Sequence, residues 1–164
     1  MALSQTLHTA RLRLEPVTGA LTLAAGKGKT ALEQALGAEV DAGWRGEHVF
    51  GRARVALDDH PRHALVIHEA DRKLIGEVRF EPLRHGEGFE IGYAIVPAYR
   101  RQGYATEAAR AVVRALEDHG ATHIIAGCDM RNVASVRTLR RLGFTLDGSI
   151  ARANAFWWVR RAPV

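Results

Sequence analysis

The segment from Phe89 to Gly120, FEIGYAIVPAYRRQGYATEAARAVVRALEDHG, constrains the fold more tightly than any other part of the chain. Phe89, Ile91, Tyr93 and Ile95 alternate with Glu90, Gly92, Ala94 and Val96, the period-two pattern of a strand. Pro97 has no N–H to offer a neighbouring strand, so pairing should end there. Beyond it the period changes. Ala105, Ala108, Ala109, Val112, Val113 and Leu116 recur at helical spacing and Gly120 supplies a stop, which predicts a helix over 104–119. Between strand and helix, RRQGYA places Gly103, where a backbone can approach a ligand closely, beside Arg100 and Arg101. The first N–H groups of a helix lack internal partners and carry partial positive charge, so this turn suits an anion, best a pyrophosphate. By spacing alone, a plain strand–helix connection fits the same residues.

The remaining segments build a mixed α+β domain around that unit. Residues 9–17 predict a first strand, and Thr18 resembles a helix cap ahead of GALTLAAG. Thr30 with Glu33 suggests a capping box for ALEQALG, closed by Gly37. Val49, Phe50, Ala53 and Leu57 keep helical spacing between Glu47 and Asp58. HALVIHEADRKLIGEVRFEPL reads as two strands around a turn at Ala70–Arg72. A strand near His123–Cys128, a helix over 133–142 and strands around 144–147 and 155–161 complete the chain. That makes a mostly antiparallel sheet of about seven strands with helices on both sides, in a single domain over 1–164.

Composition narrows the function classes. With 47% hydrophobic and 25% charged residues the chain is an ordinary globular one. It has no apolar run long enough for a membrane helix and no signal-peptide pattern at its start. Cys128 is the single cysteine, which suits a reducing cytoplasm, and it belongs to an apolar strand where packing is its expected role. The net charge of +5 is carried almost wholly by arginine, clustered at 100–101 and 137–141. Cofactor phosphates account for those clusters as well as a nucleic acid does, and no aromatic-interleaved basic stretch accompanies them to favour the latter. Gly28-Lys29-Thr30 imitates the end of a P-loop, but Leu23 stands where its first glycine is required. His60 with His63, and His119 with His123, lack a third ligand, so no metal is expected.

Arg100-x-x-Gly103-x-Ala105 resembles the acyl-CoA pyrophosphate loop of the GCN5-related N-acetyltransferase (GNAT) family, Q/R-x-x-G-x-G/A. EIGYAIVP before it, and NVASVRTLRRLGF at Asn132–Phe144 after it, are similar to that family's flanking motifs in the same order. The RimJ/RimL-like branch, which acetylates ribosomal-protein N-termini, is the nearest in flavour. The resemblance implies the GNAT fold, acetyl-CoA as cosubstrate, an amine acceptor and, by family habit, a homodimer. It implies that the sheet splays after the 89–96 strand and that backbone at Ile95 and Val96 pairs with pantetheine. A bulge near Tyr93–Ile95 would free an N–H to polarise the thioester carbonyl. Amides from Gln102 through Gly103, Tyr104 and Ala105 to Thr106 would hold the pyrophosphate, with charge from Arg100 and Arg101. Asn132 would touch the cofactor or cap the next helix, or both.

Glu90 is the first candidate for the base, with Glu77 second, and a salt-bridged carboxylate is the bland alternative for Glu90. Many family members carry a tyrosine acid four residues before the G-F glycine; here that position is Leu139. The acid role is then either unfilled or taken by Ser135, which stands where the RimJ/RimL-like branch has its serine. The acceptor would be shaped by Ala20–Glu47, by 77–88 and by Gly148–Asn154, and Trp157 or Trp158 would border its cleft. A protein or peptide α-amine fits the branch. A small-molecule amine (aminoglycoside, polyamine or amino acid) and a non-catalytic acyl-CoA-binding module stay open.

Overall fold

The computed structural model describes residues 3–46, 49–50, 61–84, 88–148 and 156–162. They form β1 (Leu7–His8), β2 (Leu12–Pro16), α1 (Gly19–Gly26), α2 (Lys29–Leu36), β3 (Glu39–Val40), β4 (His63–His68) and β5 (Lys73–Pro82). There follow β6 (Gly88–Ile95), a 3-10 turn (Pro97–Tyr99), α3 (Tyr104–Asp118), β7 (His123–Cys128), α4 (Val133–Arg141), β8 (Thr145–Leu146) and β9 (Phe156–Arg161). The strands join one sheet in the order β1-β2-β4-β5-β6-β7-β9-β8, with β3 beside β5. Only β3–β5 and β6–β7 are parallel pairs among the described residues. The mostly antiparallel α+β architecture is as expected. The two strands missing from the expected seven, β1 and β3, span two residues each, too few for alternation to register.

Both faces of the sheet are covered. Val66, Val78, Phe80, Ile91 and Ile124 pack with Ala108, Ala109, Val112, Val113 and Leu116 of α3. These helical residues are the seam read from the periodicity, and each buried Val or Leu contributes about 1.5–3 kcal/mol. On the opposite face Leu65, Ile67 and Leu74 pack under Leu21, Leu32 and Leu36 of α1 and α2. The core therefore sits in two layers about β4 and β5.

The topology opens a gap at the middle of the sheet. Two parallel strands cannot be joined by a tight turn, and α3 makes the crossover from β6 to β7. Those strands pair only at Gly88↔His123, Phe89↔Ile124 and Glu90↔Ile125. Past that point β6 continues to Ile95 and β7 to Cys128 with no ladder between them. On its other side β6 stays paired with β5 from Phe89 to Ile95. Val96 N–H donates to the Ile75 carbonyl at 2.8 Å, so by alternation Gly92 and Ala94 also face β5. Beyond the last β6–β7 pair, Tyr93 and Ile95 turn their backbone groups into the gap.

Two local expectations are corrected. The β5–β6 register runs unbroken from Gly76↔Ile95 to Pro82↔Phe89, so β6 has no bulge near Tyr93–Ile95. The irregularity lies one strand over, where Val66 pairs with Gly76 and Ile67 with Leu74, leaving Ile75 extra. A side chain at Gly76 would collide with the Ala94 carbonyl, which explains a glycine inside this strand. Thr30 is not a cap either: α2 starts at Lys29 behind Gly28, and Glu33 turns instead to the Val40 N–H at 2.9 Å. Gly37 does close that helix, in the left-handed region at φ 62°. Apart from Val49 and Phe50, the helix read between 47 and 58 lies outside the described residues. None of the described helices is long and apolar enough to cross a membrane.

Candidate active site

The gap between β6 and β7 leads directly to the head of α3. After the 3-10 turn the backbone takes two left-handed steps, Arg101 at φ 59° and Gly103 at φ 86°. Gly103 is the N-cap residue of α3 and brings no side chain to the helix end. The first intrahelical bond here is Glu107 N–H to the Gly103 carbonyl at 3.0 Å. Tyr104, Ala105 and Thr106 have no carbonyl one turn back to bond, so their N–H groups point out of the helix end. These three lie within the Gln102–Thr106 stretch from which donors are expected, at the end of an open strand edge.

The flanking side chains are arranged less simply. Arg101 is exposed, whereas Arg100 folds back and donates from Nε to the Ile95 carbonyl at 2.8 Å. Val96 N–H is taken by Ile75, and its carbonyl accepts from Tyr99 N–H at 3.0 Å. Of the backbone expected to meet pantetheine, Ile95 faces the gap and Val96 does not. The Tyr104 ring is buried behind the turn, where its hydroxyl lies 3.0 Å from His68 Nε2. His68 Nδ1 is 3.1 Å from Asp71 Oδ2, which also accepts from the Tyr99 hydroxyl at 2.5 Å. That short bond holds the Asp71 carboxyl below its usual range and pushes the Tyr99 phenol up to about 12.

Across the gap, Asn132 caps α4: its side-chain oxygen accepts the Ser135 N–H at 3.1 Å. The Ser135 hydroxyl lies 3.1 Å from the Tyr93 hydroxyl, so the open strand and the start of α4 are linked. Burial pushes the Tyr93 phenol above its ordinary value. Leu139, where many family members carry a tyrosine, is sealed in the core at 1% exposure and cannot take part.

Glu90 is salt-bridged, the bland alternative. Arg79 Nη2 donates to it at 2.7 Å, and Arg79 Nη1 lies 3.2 Å from Glu81. Burial presses the Arg79 pKa down, yet the two carboxylates outweigh it and the net shift is upward. Glu77, opposite Ala94, accepts the Trp44 indole N–H at 2.7 Å. Trp158 belongs to the main core, and Trp157 packs on the other face with Ile125 and Val159. Gly127 lies opposite Trp157, where a Cβ would come within 3.2 Å of the ring. Residues 85–87 and 149–154, expected to shape the acceptor side, lie outside the described residues.

Arg11, Thr9 and Glu107 carried no local signal and meet at the first turn of α3. Glu107, in the first turn of α3, accepts from the Thr9 hydroxyl at 2.6 Å and from Arg11 N–H at 2.9 Å. Arg11 Nε and Nη2 reach the same carboxylate at 2.8 and 2.7 Å, and Nη1 donates to the Gln102 carbonyl at 3.1 Å. Burial pushes the Glu107 carboxyl up, but these hydrogen bonds outweigh it and hold it below its usual range.

With a strand edge opening onto an uncapped helix, the chain matches the Acetyltransferase (GNAT) domain family over residues 35–145. The chain belongs to the GNAT acetyltransferases. Among its relatives, the uncharacterized N-acetyltransferase YjdG of Bacillus subtilis is 27% identical over 94% of this chain and 98% of its own length. YnaD of the same organism is 29% identical, the match taking in 61% of each chain. The fold of this acetyltransferase is shared with the ribosomal-protein-S5-alanine acetyltransferase of Vibrio fischeri (TM-score 0.69, 16% identity, 97% of each chain). It is shared equally with RimL, a ribosomal L7/L12 alpha-N-protein acetyltransferase solved with coenzyme A (TM-score 0.66, 19% identity, 96% of this chain and 98% of that one).

Proposed function

We propose that this acetyltransferase moves an acetyl group from acetyl-CoA to an amine of low pKa, a protein or peptide α-amine fitting best. The observation that carries the reading is the open edge of β6 ending at the uncapped head of α3. A pantetheine arm carries amides that can pair with the backbone of Tyr93 and Ile95 as an added strand would. Its diphosphate meets the amides from Gln102 to Thr106, with Arg101 and the outer nitrogens of Arg100 adding charge. Asn132 keeps its cap role and lines the same gap.

The acceptor class follows from what the site offers a nitrogen. Deprotonating a lysine amine of pKa about 10.4 at pH 7.4 costs roughly 4 kcal/mol, against about 0.5 kcal/mol for an α-amine near 7.8. Glu90 and Glu77 are both already engaged, by Arg79 and by Trp44, which suits an acceptor needing little help. The names of the V. fischeri protein and RimL point the same way for those proteins. In the transfer the amine nitrogen attacks the thioester carbon, a C–N bond forms and the C–S bond breaks. The nitrogen's proton passes to water held beside Glu90, and the departing thiolate takes one from the Ser135 hydroxyl, which Tyr93 orients and which regains a proton from solvent water, so no net proton is gained or lost.

A thiol-release assay with acetyl-CoA and a panel of peptides, aminoglycosides, polyamines and amino acids tests the proposal. Release with peptides of free N-terminus, abolished by blocking that terminus, is the expected result. Release only with small amines would reassign the acceptor. Coenzyme A binding by calorimetry without release from any amine would leave a non-catalytic binding module.

A further inference from the structure

We infer that Arg11, from the β1–β2 connection, is the residue that aims the Gly103 amide at the donor's diphosphate. The inference rests on the cofactor reading just given. A peptide unit is planar and trans, so its C=O and N–H point in opposite directions. Arg11 Nη1 holds the Gln102 carbonyl on the outer side of the turn at 3.1 Å. The N–H of the same peptide unit belongs to Gly103, and it must therefore point the other way, toward the open side.

The turn needs such a hold. Arg101 adopts a left-handed φ of 59°, a strained conformation for a residue with a Cβ, and the next peptide units are free to flip without a partner. Glycine at 103 adds freedom, not restraint. Arg11 is itself held from two sides: its Nε and Nη2 grip Glu107, and its guanidinium lies 4.2 Å over the Tyr104 ring. It stands close behind the turn, since a Cβ on Gly103 would lie 3.4 Å from its Nη2. One side chain thus ties the Gln102 carbonyl to the first turn of α3. It also offsets the Glu107 carboxylate, which would otherwise repel an anion at this helix end. Arg11 is a positioning residue: its hydrogen bonds go to the protein, and it acts on the diphosphate through Gly103.

The test compares two donors, acetyl-CoA and S-acetylpantetheine, which keeps the thioester and lacks the diphosphate. Arg11→Met should raise KM for acetyl-CoA about tenfold, the worth of one hydrogen bond to a charged group, with kcat within about twofold. The loss should be confined to the diphosphate-bearing donor, so the ratio of the two kcat/KM values falls about tenfold. An equal fall for both donors would mean a general structural role and overturn the inference. So would no change with either. Should Arg11→Met fail to fold, Arg11→Lys, which cannot hold Glu107 and the Gln102 carbonyl together, should lower the same ratio about threefold, and an unchanged ratio counts against. Calorimetry separates this inference from its basis. Wild-type protein that does not bind coenzyme A takes both down, whereas binding undiminished in the Arg11 variants removes only the role given to Arg11.

Discussion

Two helices begin at the central gap, and they are finished in opposite ways. The head of α4 is closed by its own side chain, with Asn132 accepting the Ser135 N–H. The head of α3 begins at Gly103 with no side-chain cap, and its outer side is tied down by Arg11 instead. A capped helix end is satisfied and mainly stabilises the fold; an uncapped one keeps donors available for a ligand. On the proposed reading, an anion site arises here by withholding a cap and supplying the lost rigidity from outside the helix.

The largest effect should come from deforming the open end. Gly103→Val forces a β-branched residue into φ 86° with its Cβ against Arg11, which distorts the turn that presents the donors, and affinity for coenzyme A by calorimetry should fall about a hundredfold or more. Retained affinity would remove the distinction between the two helix heads. Next is the hydroxyl at the capped end: Ser135→Ala should lower the acyl-transfer rate about tenfold with donor affinity nearly unchanged. That is a small factor for a general acid, because a thiolate of pKa about 8.5 leaves well without one. An unaltered rate would leave α4 with a purely structural start.

Smaller effects sharpen the comparison. Asn132→Ala should cost about 1 kcal/mol in denaturant unfolding, as a lost cap does, while donor KM changes less than it does in Gly103→Val. A larger change in KM than in stability would make Asn132 chiefly a cofactor contact. The smallest effect concerns pH. The Glu107 carboxyl is held below its usual range when folded, so its contribution is present above the unfolded pKa of about 4.3 and lost as pH falls through the folded value. Wild-type stability should therefore decline over that acid range more steeply than in Glu107→Gln. Parallel acid limbs in urea titrations would show that the Thr9–Arg11–Glu107 ties contribute nothing measurable.

Much of the fold was legible because its signals are local. The alternation over 89–96, the helical seam from Ala105 to Leu116, the Thr18 cap and the Gly37 stop each depend on residues a few positions apart. Thr30 shows where such reading fails: Glu33 had the right spacing for a capping box, but the Val40 N–H brought up by β3 competed successfully for its carboxylate. The bulge was expected on β6 and formed on β5, since strand irregularities answer to the partner strand and not to the strand's own pattern.

By itself the sequence determined the strand–turn–helix unit, the glycine that leaves α3 without a cap, and the order of motifs that marks the family. Backbone preference and side-chain periodicity act over one or two turns, and no distant partner is needed to read them. Packing of remote segments, by contrast, parts β6 from β7 after Glu90, sets Arg79 on Glu90 and carries Arg11 to Glu107 across 96 residues of chain. Those outcomes depend on which strands lie side by side once the core has packed, and a contact between remote segments leaves no trace in the spacing of either.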